Sequence, residues 1–222
     1  MLMKKLLKQM QPFLESHGFK LCGKVYYKII HNIAFCLEFE IPGGLYVLCY
    51  PLPLYMPNNV RSYQYGVRLA ASPYKELPFL DKTAGEDQIV NWCQVLSEYL
   101  LQNIFPYFED VSEPIALAEF FEKKTKRRKI CCTDLVADRL LLFTYLFLED
   151  KKNFEKVVNR YRNNLKNCSY LMPNIIKELE KEAERISCLM KESHEQIETF
   201  FSSVVEENIR VHFPEKSNRD TK

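Results

Sequence analysis

Ile33-Ala34-Phe35-Cys36-Leu37-Glu38-Phe39-Glu40-Ile41 alternates without a break: Ile33, Phe35, Leu37, Phe39 and Ile41 fall on one side, Ala34, Cys36, Glu38 and Glu40 on the other. A period of two is the signature of a β-strand with one covered face. Pro42-Gly43-Gly44 stops the strand, and Leu45–Tyr50 returns beside it. Upstream, Lys24–Ile30 sets Val25, Tyr27 and Ile29 against Tyr26, Lys28 and Ile30, and His31-Asn32 supplies a turn. Downstream, a proline-rich connection, Pro51–Pro57, leads to Ser62–Ala70, where Tyr63, Tyr65, Val67 and Leu69 oppose Ser62, Gln64, Gly66 and Arg68. Four short alternating segments joined by turns predict an antiparallel meander.

Ahead of the sheet, Met3–His17 places Leu6, Leu7, Met10, Phe13 and Leu14 at helical spacing. Pro12 predicts a kink or a later start, because proline inside a helix removes a hydrogen bond. Gly18 fits the left-handed residue that closes a helix, with Phe19 as its apolar follower. Behind the sheet the composition changes. All six glycines lie between Gly18 and Gly85, and none occurs from Glu86 to Lys222. Glycine serves where the backbone takes positive φ. A long stretch without it, rich in Leu, Glu, Lys and Phe, reads as successive helices.

Glu86–Phe105 carries an apolar stripe of Ile89, Val90, Trp92, Cys93, Leu96, Leu100 and Ile104 and is expected to stop near Pro106. Pro114 opens the next helix, which reaches about Lys124; Thr133 caps one holding the apolar run Leu140–Leu148; Asn153–Leu165 follows. From Met172, steps of four and three reach Ile176, Leu179, Ala183, Ile186, Met190, Ser193, Ile197, Phe200 and Val204. This predicts a single rod over 172–204, about 45 Å long, with Ser193 the one break in its seam. Such a stripe needs another helix to cover it, from this chain or from a second copy in a homo-oligomer. The expected class is therefore α+β: a helix and a four-stranded antiparallel sheet over 1–112, an all-helical part with a long terminal helix over 113–213, and a polar, disordered tail over 214–222.

Hydrophobic residues make up 47% of the 222, enough for a packed core. Thirty-one basic and 29 acidic residues leave a net charge of +2, which argues against a general polyanion binder. No run approaches the roughly 20 apolar residues of a membrane span. The lysines of Met1–Met10 are followed by no signal-peptide core, so a cytoplasmic protein without membrane contact is expected. Eight cysteines without a CxxC pair, and four histidines off the spacing of metal ligands, predict reduced thiols, no metal and no cofactor.

Two features carry candidate chemistry. On the polar face of the sheet, Lys28, Glu38, Glu40, Gln64 and Arg68 form a candidate partner-binding set. Glu38 and Glu40, two apart on one strand, read either as paired carboxylates or as members of cross-strand charge pairs. Lys123, Lys124, Lys126, Arg127, Arg128 and Lys129 form a candidate nucleic-acid set, able to grip phosphates or to serve as a solvated loop at the negative end of a helix. No GxGxxG, GK[ST] phosphate loop, GxSxG elbow, HExxH or kinase set is present. Arg185 and His194 are spaced too widely, and Arg210 and His212 too closely, for a HEPN-type ribonuclease; no lysine follows Glu38 or Glu40 as PD-(D/E)xK nucleases require. A Cys–His pair distant in sequence stays open, and no catalytic residue is assigned.

The opening, Leu6-Leu7-Lys8-Gln9-Met10-Gln11-Pro12-Phe13-Leu14 through His17-Gly18-Phe19-Lys20, then Tyr26-Tyr27-Lys28, resembles a bacterial domain-of-unknown-function family, number 4304, over Met1–Ser112. That resemblance implies a helix, a Gly-Phe corner and a curled sheet, and the company of toxins and phage-defence effectors. The function expected first is a non-catalytic bacterial protein–protein interaction module, such as an immunity or defence accessory protein. The alternatives are a nucleic-acid accessory subunit using 123–129 and an enzyme with an unrecognised site.

Overall fold

His31 and Asn32 both have positive φ, 46° and 62°, which a two-residue turn needs if its strands are to keep their right-handed twist. They join β2 (Val25–Ile30) to β3 (Ile33–Glu40), paired from Ile30↔Ile33 out to Val25↔Glu38. β1 (Lys20–Cys22) pairs ahead of them, and β4 (Tyr46–Pro53) and β5 (Val67–Ala70) follow, in the antiparallel order β1-β2-β3-β4-β5. The sheet thus has five strands where four were expected. The added strand is three residues long, too short to show a period. β4 runs on through Pro51 and Pro53, past the expected end at Tyr50.

The computed structural model describes residues 2–41, 45–57, 65–70, 77–123, 133–169 and 171–214. Most of the tail expected at 214–222 lies outside the described residues. The chain divides into two compact units, Met1–Leu52 with Arg61–Ser112, and Pro53–Val60 with Glu113–Lys222.

In the first unit α1 (Leu2–Ser16) contains Pro12 within its span and buries Leu2, Leu6, Met10 and Leu14. Gly18 takes φ 83°, Gly18 N–H donates to Glu15 O at 2.9 Å and Phe19 N–H to Leu14 O at 3.0 Å, the bonding of a left-handed helix cap. Tyr26 Oη donates to Leu7 O at 2.6 Å, tying α1 to the sheet. Along β3 every residue but Glu40 is buried, so this strand is covered on both of its faces and not on one. α2 (Glu86–Tyr99) does not stop at Pro106: a π-turn, Leu100–Ile104, carries it into α3 (Phe105–Asp110).

The second unit holds α4 (Pro114–Glu122), α5 (Asp134–Phe147), α6 (Lys151–Lys166), α7 (Pro173–Leu189) and α8 (His194–His212). Thr133 Oγ1 accepts from Val136 N–H at 3.4 Å as the cap of α5. Phe154, Val157, Val158, Tyr161 and Leu165 of α6 are buried, as its spacing requires. The rod expected over 172–204 is two helices. Ser193 is not a gap in a seam but the N-cap of α8: Gln196 N–H donates to its Oγ at 3.4 Å, and Ser193 N–H donates to Gln196 Oε1 at 3.1 Å. This reciprocal box ends one helix and starts another. α8 then buries Ile197, Phe201, Asn208 and His212, a different line from the expected Phe200 and Val204.

The segment after β4 lies in this unit. Asn208 Nδ2 donates to Leu54 O at 2.6 Å and to Met56 O at 2.8 Å. The Tyr55 ring stacks on Phe147 with centroids 4.5 Å apart, and its hydroxyl meets Thr144 Oγ1 at 3.0 Å. Arg139 donates to Pro57 O at 3.2 Å and makes a two-point bridge to Glu182.

Two substitutions test this packing. A Cβ at Gly66 would lie 2.0 Å from Cys49 O and 2.6 Å from Tyr50 Cβ; Gly66→Ala should therefore lower unfolding stability by about 3 kcal/mol, read from the denaturant midpoint. Asn208→Leu keeps the branched heavy-atom skeleton, with somewhat more bulk, but leaves two buried carbonyls unmet, and should lower stability by about 2 kcal/mol in the same measurement.

Candidate functional site

Residues directly opposite in an antiparallel pair share a face, and this sorts the predicted sheet-face set. Val25 faces Glu38, and Lys28 faces Phe35. Lys28 therefore projects on the Phe35 face, with Tyr26 and Ile30, while Glu38 and Glu40 project on the other. The five residues are not one surface. Gln64 lies outside the described residues. Arg68 is opposite Leu48 in β4, and its guanidinium lies 3.8 Å from the centre of the Tyr46 ring, a cation–π contact.

The two glutamates form a clip. Glu38, only 8% exposed, accepts from Tyr50 Oη at 2.9 Å and from Lys24 Nζ at 2.9 Å, and Lys24 reaches Glu40 at 2.8 Å. Partial burial pulls the Lys24 ammonium down, but its bonds to Glu40 and Glu38 outweigh this and leave its pKa raised. A cation between two carboxylates, with a tyrosine on the buried one, satisfies the charges it gathers. Of the basic set, Lys123 is exposed and the rest lie outside the described residues.

Other polar clusters also bond inward. Asp138, 1% exposed, accepts from Arg160 Nε and from Asn164 Nδ2, each at 2.7 Å, and Arg160 also reaches Glu122, so one arginine joins α4, α5 and α6. Among the described residues no group of three His, Cys, Asp or Glu could hold a metal ion, and no helix is long and apolar enough to cross a membrane. Burial pushes the Cys93 thiol up to about 12 and raises Cys49 as well, which takes both out of the range of reactive thiolates.

What sequence reasoning missed is a cleft of about 210 Å³ in the first unit. Lys28 and Phe35 reach it from the sheet, Phe19 from the corner after α1, and Phe105, Phe108 and Glu109 from α3. Phe105 is its central ring, 5.5 Å from Phe19 and 5.2 Å from the His17 ring. His17 Nδ1 meets Phe13 O at 2.8 Å. A carbonyl only accepts, so the proton sits on Nδ1 and a neutral His17 keeps Nε2 as an acceptor. The signal for this cleft was present in Phe105, Phe108, Glu109 and Ser112 at helical spacing, hidden by ending the helix at Pro106.

In the second unit the apolar stripe of α7 is covered unevenly. Ala183, Ile186 and Met190 are buried, Ile176 and Leu179 are half-buried, and Met172 and Ile175 stand 66% and 39% exposed. Close by, His194, 74% exposed at its side chain, is paired with Glu149. The hydrogen bond to Glu149, then its charge, raises the histidine above its ordinary 6.5. The pair stabilises the fold below the unfolded-state value, and its contribution fades as pH climbs through the raised native value. An NMR titration should place His194 above 6.5, and Glu149→Gln should bring it back down; an unshifted His194 would show the pair absent in solution.

No protein-family model matches this chain, and no curated protein and no solved structure matches it.

Proposed function

We propose that this chain is a non-catalytic binding protein whose partner is another protein, met by the open half of the α7 stripe. The observation that carries the proposal is the gradient of burial along one helix face: closed from Ala183 to Met190, open at Met172 and Ile175. An amphipathic face left partly open offers anchors at the spacing by which a helix docks on a partner. The charges beside it are of both signs, with Lys177, Glu178, Glu180, Lys181, Glu184 and Arg185 on the same helix. A membrane-binding helix would show a lysine- and arginine-rich polar face instead. The likeness of Met1–Ser112 to the bacterial family 4304 supports a setting beside toxins or phage-defence effectors, and an immunity or accessory role suits a protein that acts by docking.

The test is the double variant Met172→Glu, Ile175→Glu, made in the full chain and expressed in its native cells. It should keep the wild-type thermal midpoint, because both side chains are exposed already, and lose its co-purifying partner by about tenfold or more, the scale of a buried anchor of 1–2 kcal/mol. Retention of the partner by the folded variant would overturn the proposal. So would light scattering that shows a wild-type dimer dissolved by the same substitutions, because the stripe would then serve a second copy.

A further inference from the structure

We infer that the cleft of the first unit binds a small monocarboxylic acid whose apolar part is a single ring. The inference is independent of the α7 surface and starts from one side chain. Lys28 is the one lysine among the described residues that is not exposed to solvent. Register puts it there: it stands opposite Phe35 of β3, on the face of β2 that also carries the buried Tyr26. Its ammonium makes no ion pair and no hydrogen bond with any described residue, whereas Lys24, Arg139 and Arg160 are all paired. A charge partly withdrawn from water without a counter-charge costs the fold free energy. Such a group gains most from an anion that arrives from outside.

The contacts around Gly18 say where that anion would sit. A Cβ built at Gly18 would lie 3.6 Å from Lys28 Nζ, so the ammonium rests beside the corner that closes α1. The residues on either side of this glycine, His17 and Phe19, line the cleft together with Lys28. Their rings lie 5.2 and 5.5 Å from that of Phe105, centre to centre. The cation and the aromatic wall therefore meet at one corner. A carboxylate carried on a ring, or one carbon away from it, suits both: its oxygens accept a charge-assisted bond from Lys28, and its ring stacks against Phe105. His17 contributes its ring, since its Nδ1 is already bonded to Phe13 O.

Burial decides the sign of the ligand's charge. Glu109 also lines the cleft, but it is exposed; water already solvates it, and a ligand ammonium would gain little there. Size decides the rest. At about 210 Å³ the cleft exceeds the roughly 150 Å³ of an apolar cavity that takes one benzene. It falls below the roughly 300 Å³ at which sites for drug-sized ligands begin. One ring with a short acid fits, and a dinucleotide does not.

An NMR titration of the full chain, following the amide signals of Gly18 and Phe19, tests this with four probes. Phenylacetate carries both ring and charge; phenylacetamide lacks the charge, phenethylamine reverses it, and acetate lacks the ring. Phenylacetate should bind most tightly, with each of the others weaker by about tenfold or more, the scale of one charge-assisted bond or one buried ring. Lys28→Met keeps the stem and removes an unpaired, half-buried charge. It should keep the wild-type thermal midpoint, lower phenylacetate affinity about tenfold to that of phenylacetamide, and leave phenylacetamide unchanged. Glu109→Gln should not weaken phenylacetate. The inference is overturned by the absence of shifts with phenylacetate up to about 10 mM, by phenylacetamide or phenethylamine binding as tightly, or by a folded Lys28→Met protein that binds phenylacetate as the wild type does. The four probes are compared on the wild-type chain, so a misfolded Lys28→Met would not shield the cleft from the test.

Discussion

Two buried main-chain carbonyls, those of Leu54 and Met56, have to be met by a donor, and one side chain, Asn208, meets both. A buried carbonyl without a partner costs as much as a lost hydrogen bond, so the route of Pro53–Met56 through the helical unit depends on this amide. Tyr55 rides with it, stacked on Phe147 and edge-on to Phe201, with its hydroxyl on Thr144. Arg139 closes the segment at Pro57 and holds α7 through Glu182 in the same gesture. The chain therefore does not finish one unit before beginning the next. It enters the second at Pro53, returns to the first by Arg61 and leaves again after Ser112.

That interleaving explains which parts could be read in advance. The alternation of Ile33–Ile41 survives as β3, and His31-Asn32 forms its turn, because period and turn chemistry are local. The helix, antiparallel sheet and helices of the α+β class follow from such local signals. The burial of Glu38 is not local: it depends on Tyr50, twelve residues on, and on Lys24, fourteen back. Face assignment across β2 failed for the same kind of reason. Lys28 and Glu38 are both polar, yet pairing register and not polarity decides which face each occupies, and Val25↔Glu38 puts them on opposite sides. A cluster chosen by polarity was split by register.

The helical half shows how a signal can be present and be outweighed. Ser193-His194-Glu195-Gln196 has the serine-to-glutamine spacing of a capping box, but it falls within an apolar repeat that continues on either side. The repeat argued for one rod, and the cap divides it. Glycine gave a similar half-truth. Its absence after Gly85 correctly marks helices, yet the corner between α5 and α6 still needs a left-handed residue, and Glu149 supplies it at φ 53°. A non-glycine there costs about 1 kcal/mol. Asp150 N–H bonding to Tyr145 O at 2.9 Å and the partnership of Glu149 with His194 offset that strain.

The α3 wall of the cleft rests on a phase argument. Trp92, Leu96, Leu100, Ile104 and Phe108 are four apart and all buried. In an uninterrupted α-helix each step of four overshoots a turn by about 40°, so the line would swing about 160° over four steps and carry Phe108 away from the core. The π-turn takes up part of that swing: Phe105 N–H bonds back to Leu100 O, five residues away. Pro106, with no N–H to give, follows directly after the widened turn, where the ladder has already changed register. The proline that ought to stop the helix thus marks the place where it is rephased. Phe108 meets Phe35 at 4.8 Å because of it, and a helix ended at Pro106 would leave the sheet side of the cleft facing nothing.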